Sequence, residues 1–365
     1  MTSTMVTASC SWFSRRATRG YRHAVLPGFG RPGGRPSSST VIGCAGAGDV
    51  RVPSDPRLPL VRCCRTLRTQ MLRREAAARG RVRAHHAALL RGANRFHTFA
   101  VSLVAGGGRV NLQGARTRDM DEIVVLVSLG LFTKACWQHR SGQLLARAGL
   151  GADAIALTRC LFETTLALAF VLRRRLRLRR GRDRRPLPPV PGWPLNSRLR
   201  ARLYLANIAF ENDRVFREFQ DIRGLRRFRR RAAAARSVVQ QVRDGEAAIG
   251  PEWTRRLRDS RSFSGVSIKD LALSLRLAAA YATLYRYGSW SVHAIDLTHF
   301  ITLPDPGRPP LIQLAPHEGD VASAVSVANN LLLVCVRFVN ERFGLDRDRA
   351  IERHAYRLSL LDARG

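Results

Sequence analysis

ADAIALTRCLFETTLALAFVLRRR, residues 152–175, is the stretch whose reading decides the fold. It holds no proline and no glycine, and its apolar side chains fall on every side of a helical wheel. A helix that is apolar all round must be covered all round, which places it at the centre of a bundle. Before its basic end only Arg159 and Glu163 interrupt it, four residues and about one turn apart, so their side chains meet on one face. An ion pair in the middle of roughly 20 apolar residues is costly in lipid and easily held in a protein core. The expectation is a core helix and no membrane span.

The flanking segments supply its neighbours. Upstream, residues 119–148 carry acids at the start and MDEIVVLVSLGLFTKACWQHRSGQLLARA as a helical pattern, ended by Gly149 and Gly151, with Asp153 placed to cap the next helix. Downstream, nine arginines from Arg173 to Arg185 lead into PLPPVPGWP, a proline cluster that reads as an extended connector. Asn196 or Ser197 then caps a helix over 197–220, and Gly224 precedes RRFRRRAAAARSVVQQVRDGEAAI. Ser267 and Asp270 mark the start of a long apolar helix, LALSLRLAAAYATLYRYGSWSVHAIDLTH, over Leu271–His299. A last helix, 317–344, begins with acids and ends at Gly344. Strand-type alternation is absent and no internal repeat occurs. The expected fold is all-α, a helical bundle of about five core helices.

The domain expectation follows from composition. Residues 1–60 are rich in Ser, Gly, Pro and Arg and have no acid before Asp49, which suits a disordered basic tail or an upstream extension outside the folded protein. An Arg- and Ser-rich, acid-poor start also describes an organellar transit peptide. Residues 61–115 read as a marginal basic helix, with few leucines among many arginines, and a Gly-rich linker at AGGGRVNLQGAR. The bundle is expected over 116–350, with 351–365 as a tail.

The formal net charge is +35, and 60 of the 62 basic residues are arginine, only Lys134 and Lys269 being lysine. Arginine in place of lysine, with abundant alanine and glycine, is what a GC-rich coding sequence yields, so the charge speaks less for function than its size suggests. Its physical consequence, attraction of polyanions, remains. The runs at Arg173, Arg174, Arg175 and at Arg226, Arg227, Arg229, Arg230 are the candidate contacts for an RNA or DNA backbone. With few aromatics among them, such contacts are salt-sensitive and do not read sequence. A solvated surface is the competing reading.

Other site classes find little support. Seven cysteines show no CxxC pair and no Cys/His spacing for zinc, which points to a reducing, cytoplasmic setting. His293, Asp296 and His299 step round a helix instead of converging, and no Glu-x-x-His pair exists for a di-iron site, so no metal and no cofactor is expected. GGGRVN lacks the lysine and strand–helix context of a phosphate loop. No nucleophile elbow exposes a serine.

Arg159 and Glu163, then Arg200 and Tyr204 as R-x3-Y, then Tyr285, Ser289, Val292 and His293 as Y-x3-S-x2-V-H, resemble in order and spacing an uncharacterised helical family of bacteria and some archaea. The resemblance covers residues from about 120 to 345. It implies a helical fold and a bacterial origin, and no mechanism. Two readings of these residues stay open. In the first, Arg159, Glu163, Tyr285, Ser289 and His293 form a buried polar network that fixes helix register. In the second, Arg286 and His293, as R-x6-H two turns apart, are similar to the R-x4-6-H motif of HEPN-domain ribonucleases. That similarity implies metal-independent RNA cleavage in a defence or toxin system, at a homodimer interface. Arg286 would hold the phosphate and His293 would move a proton.

Overall fold

The structure is a computed structural model that describes residues 59–106, 109–110, 120–181, 184–221, 232–285, 301–302, 311–312 and 320–364. In chain order these form α1 (Pro59–Ser102), β1 (Ala105–Gly106), β2 (Arg109–Val110), α2 (Glu122–Arg147), α3 (Gly151–Leu172), β3 (Arg179–Arg180) and β4 (Arg185–Pro186). There follow α4 (Ser197–Asp221), α5 (Ala232–Ile249), α6 (Pro251–Ser260), α7 (Ile268–Ser274), α8 (Ala278–Ala280) and a π turn (Tyr281–Tyr285). Beyond them come β5 (Ile301–Thr302), β6 (Leu311–Ile312), α9 (Val321–Phe343) and α10 (Asp348–Arg364). The strands pair only as two-residue antiparallel ladders, β1 with β2, β3 with β4 and β5 with β6. The fold is all-α.

α3 is the centre of the packing. Phe162, Leu166, Leu168, Ala169, Phe170 and Val171 have no exposed surface, and the helix is packed by α2, α9, α4 and α7. α3 and α9 are each long and apolar enough to cross a membrane by length and composition, and both lie mostly buried inside the bundle.

Local chemistry sets the helix starts. The Asp121 carboxylate accepts the Ile123 N–H at 3.1 Å and pairs with Arg198 Nε at 2.8 Å, tying the start of α2 to the start of α4. Asn196 Oδ1 accepts the Leu199 N–H at 2.9 Å to cap α4, and Ser267 Oγ accepts the Asp270 N–H at 3.1 Å to cap α7. Asp153 does not cap α3. Gly149, at φ +84°, reverses the chain so tightly that the helix begins at Gly151, leaving Asp153 in its first turn.

The folded part reaches further in both directions than composition suggests. From Ala78 onward α1 is a packed helix: Ala78, Val82, Leu89, Ala93, Phe96 and Ala100 are buried at helical spacing. It lies against α2, α9 and α10. α10 replaces the expected tail, burying Ile351 and Leu358, and a Cβ on Gly92 of α1 would collide with Leu361 Cδ1 of α10. Glycine at 92 lets Leu361 reach the backbone of α1, and any larger residue there would require the end of the Leu361 side chain to move.

The single helix expected over Leu271–His299 is broken after its first turns. Arg276 takes a left-handed conformation at φ +63°. The Leu277 N–H donates to the Ala272 carbonyl at 2.7 Å and the Arg276 N–H to the Leu273 carbonyl at 3.1 Å, the paired bonds that close a helix C-terminus. Leu277, buried, supplies the apolar contact that accompanies such a stop. Arginine meets a steric penalty there that glycine does not. Arg276→Gly is therefore expected to raise stability by about 1 kcal/mol, read as a higher urea midpoint at unchanged slope.

Candidate functional site

Three polar clusters among the described residues join the central helices. The first joins α3 to the π turn. Arg159 Nε faces Glu163 Oε1 at 3.4 Å across one turn of α3, and Arg159 Nη2 donates to the Tyr285 hydroxyl at 3.4 Å. The guanidinium carbon stands 4.6 Å from the Tyr285 ring centroid, a cation–π distance, and Tyr285 stacks on Tyr281 at 5.1 Å. The pair is half-buried: the Glu163 side chain keeps 41% of its surface and the Arg159 side chain 16%. The structure thus brings Arg159, Glu163 and Tyr285 together. Arg286, Ser289 and His293 lie outside the described residues, as do Asp296, His299 and His317.

The second cluster closes the C-terminus of α3. Arg200 has no exposed surface and, among the described residues, no carboxylate beside it. Its Nη2 donates to the carbonyls of Arg173 and Val171, the latter at 3.4 Å, and to Ser197 Oγ at 2.9 Å. The last carbonyls of a helix have no partner within it and carry the negative end of its dipole, so they serve the buried cation in place of an acid. Burial first, then the neighbouring Arg342, draws its pKa down to about 10. Arg200 Nε and Nη1 and Arg342 Nε are buried without partners.

This closure positions the arginine run. Arg173 Nη1 donates to the Leu275 carbonyl at 3.0 Å, and the Arg179 N–H donates to Ser274 Oγ at 3.1 Å. Leu178 is buried and Leu176 half-buried, while Arg174, Arg175, Arg177, Arg179, Arg180 and Arg184 are exposed. Leu176, Arg177 and Leu178 alternate in and out just before β3, and both residues of β3 are exposed. None of these six side chains enters an ion pair with a described residue. Arg226, Arg227, Arg229 and Arg230 lie outside the described residues.

The third cluster is one that sequence reasoning misses. His139, fully buried on α2, donates from Nε2 to Asn329 Oδ1 of α9 at 2.9 Å and accepts at Nδ1 from Gln143 Nε2 at 3.2 Å. That assignment, in which Asn329 Oδ1 can only accept, makes the ring neutral. His97 of α1 stacks on it at 5.6 Å, and Arg140 reaches Asn94 Oδ1 at 2.8 Å. Desolvation drives the His139 pKa to about 4, against a hydrogen bond to Asn329 that raises it and the charges of His97 and Arg140 that lower it. The signal is present as polar residues at inward helical positions, His139 and Gln143 four apart and Asn329 within an apolar run. Their partnership across 190 residues leaves no such trace.

The thiols are structural. Burial raises Cys136 and Cys335 to about 12, and Thr165 Oγ1 lies 3.3 Å from Cys335 Sγ. Cys160, on the same apolar helix as Thr165, is exposed. Among the described residues no group of His, Cys, Asp and Glu has the arrangement of a metal site.

The fold and these clusters define a helical-bundle protein whose interior polar groups bind one another. The particular family follows from comparison: the model of a family of unknown function, DUF5677, matches residues 125–308, half of the chain, and the chain belongs to that family. The match takes in Arg159, Glu163, Arg200, Tyr204 and Tyr285 and leaves α1, α9 and α10 outside it. No curated protein and no solved structure matches the chain.

Proposed function

We propose that the chain binds the sugar–phosphate backbone of nucleic acid, without reading sequence, through the arginines that follow α3. The observation that carries the reading is the set of six exposed arginines, none of them ion-paired to a described residue, on a leucine-anchored segment. Each guanidinium offers a planar fork of donors suited to a phosphate. The anchors at Leu275, Ser274 and Arg200 hold the hairpin's root, so little order is lost on binding.

The test must separate a shaped surface from bulk charge. Binding of a labelled RNA and a DNA duplex is measured by anisotropy across a salt series. One variant changes Arg174, Arg175, Arg177, Arg179, Arg180 and Arg184 to glutamine; a control changes Arg68, Arg73, Arg74, Arg79, Arg83 and Arg91, exposed on α1. The hairpin variant is expected to lose at least ~10-fold in affinity and up to about 5 units of the log–log salt slope, with the control close to wild type. Equal losses in both variants would reduce the effect to net charge and sink the proposal.

A second reading, the metal-independent ribonuclease of Arg286 and His293, is favoured by one feature. The chain enters that segment through a π turn, a distortion often found at functional sites, braced by Arg159 on Tyr285. The RNA recovered from the same titration decides it: shortening by wild type that folded Arg286→Ala and His293→Ala both abolish would establish cleavage.

A further inference from the structure

We infer that two copies of this chain pair through the outward face of α2, antiparallel about a twofold axis near Thr133 and Lys134, with Trp137 of each copy seated over Gly130 of the other.

The face is unusual for its apolar exposure. α2 is packed by α1, α3, α4 and α9, yet Leu126, Trp137 and Leu144 keep 68%, 67% and 52% of their surface. At about 100° per residue these three and Gly130 fall within about 40° of one line, a continuous stripe along a helix. The stripe also bears no exposed arginine, in a chain that has 60. Arg140 is the one arginine near its centre, and it turns inward to Asn94 and Gln143. An apolar band whose one exposed cation is Lys134, on the flank beside the axis, is where a second copy of so cationic a chain meets the least charge repulsion.

Shape fixes the register. A Cβ on Gly130 would meet nothing within 4 Å, so the helix is bare there. Trp137, two turns further on, is the largest projection of the same stripe. In an antiparallel pair about a perpendicular twofold axis, residues on the same flank of the two helices face each other. Setting Trp137 over Gly130 of the second copy places the axis between residues 133 and 134. That register, chosen on shape alone, brings Glu122 at one end of the face within reach of Arg147 of the second copy. Neither Glu122 nor Arg147 has an ion-pair partner among the described residues. Two such pairs, one at each end, select antiparallel over parallel pairing. A single helix-on-helix contact is smaller than the ~1,600 Å² of a standard interface, so the pairing is of about micromolar strength.

Sedimentation velocity of the full chain over a concentration series through the micromolar range, at moderate salt to screen the net charge, reads the outcome. Wild type is expected to move from the 40.7 kDa of one chain to twice that mass. Gly130→Trp sets two indoles against each other and Trp137→Gly removes both, and each is expected to weaken pairing by at least ~30-fold. The double variant, Gly130→Trp with Trp137→Gly, exchanges knob and hole on one helix and is expected to pair again. Circular dichroism melts confirm that each variant folds, as the space around Gly130 allows. A chain that stays at one-copy mass throughout, or single variants that pair as well as wild type, would overturn the inference. Trp137 would then be covered by another segment or another partner.

Discussion

Replacing Arg200 with alanine is expected to destabilise the chain by about 3–5 kcal/mol, enough to unfold a domain of ordinary stability. Two effects add. The carbonyls of Val171 and Arg173 and the hydroxyl of Ser197 lose their donor in a site closed to water, and each buried acceptor left unmet costs about 1–3 kcal/mol. The side chain is also among the largest fully buried ones, so alanine leaves a void beside Phe170. Arg200→Met separates the two, since it fills the volume and removes a charge held without an acid. It is expected to lose clearly less than alanine, because relief of the buried charge offsets part of the lost hydrogen bonding. Urea melts of the three proteins give the comparison. An alanine variant within about 1 kcal/mol of wild type would reject Arg200 as the closure of α3.

Stability is expected to fall by roughly 3 kcal/mol between pH 6.5 and pH 4 from His139 alone. In the folded chain this ring titrates near 4, whereas in the unfolded chain it titrates at its ordinary value of 6.5. The folded pKa is depressed, so the contribution is fully present above pH 6.5. It is lost as the unfolded chain takes up a proton that the folded chain refuses. His97 on α1 and His354 on α10 are also lowered by burial, His97 further by Arg140 and His354 by Arg357, Arg353 and Arg95, so they deepen the same slope. Around His139 the facing groups are His97, Arg140, Gln143 and Asn329, none of them an acid that could welcome the proton. Chemical denaturation at a series of pH values reads this directly. The same series on His139→Gln should be flatter by about one proton, and a wild-type chain equally stable at both ends of the range would refute the account.

The parts of this structure that can be read from sequence are those that a single segment states by itself. α3 is apolar on every side, and no soluble surface tolerates that, so its centrality follows. The caps at Asp121, Asn196 and Ser267 are likewise local. α1 reads as marginal because its buried stripe is built largely from Ala78, Ala93 and Ala100, small residues that carry little apolar weight among so many arginines. The break at Arg276 is hidden because glycine, the usual mark of a left-handed stop, is absent. Arg200 stands out as part of a motif, but its partners are backbone carbonyls of another helix, which no pattern of side chains encodes. His139 and Asn329 show only as two inward polar residues, and their meeting depends on how α2 and α9 pack.

The contact of Leu361 on Gly92 has a consequence for how the chain is made. α1 leaves the ribosome long before α10, and the two contacting residues are separated by more than 250 others. At about 5–20 residues per second, the face of α1 that ends against α10 waits on the order of 10 to 50 seconds for its cover. α2 arrives early and shields Phe96, whereas the stretch around Gly92 stays open until the last. The interval falls when a polycation with a bare apolar strip is most exposed to acidic partners and to chaperones. Its arginines repel those of a neighbouring nascent chain during that wait.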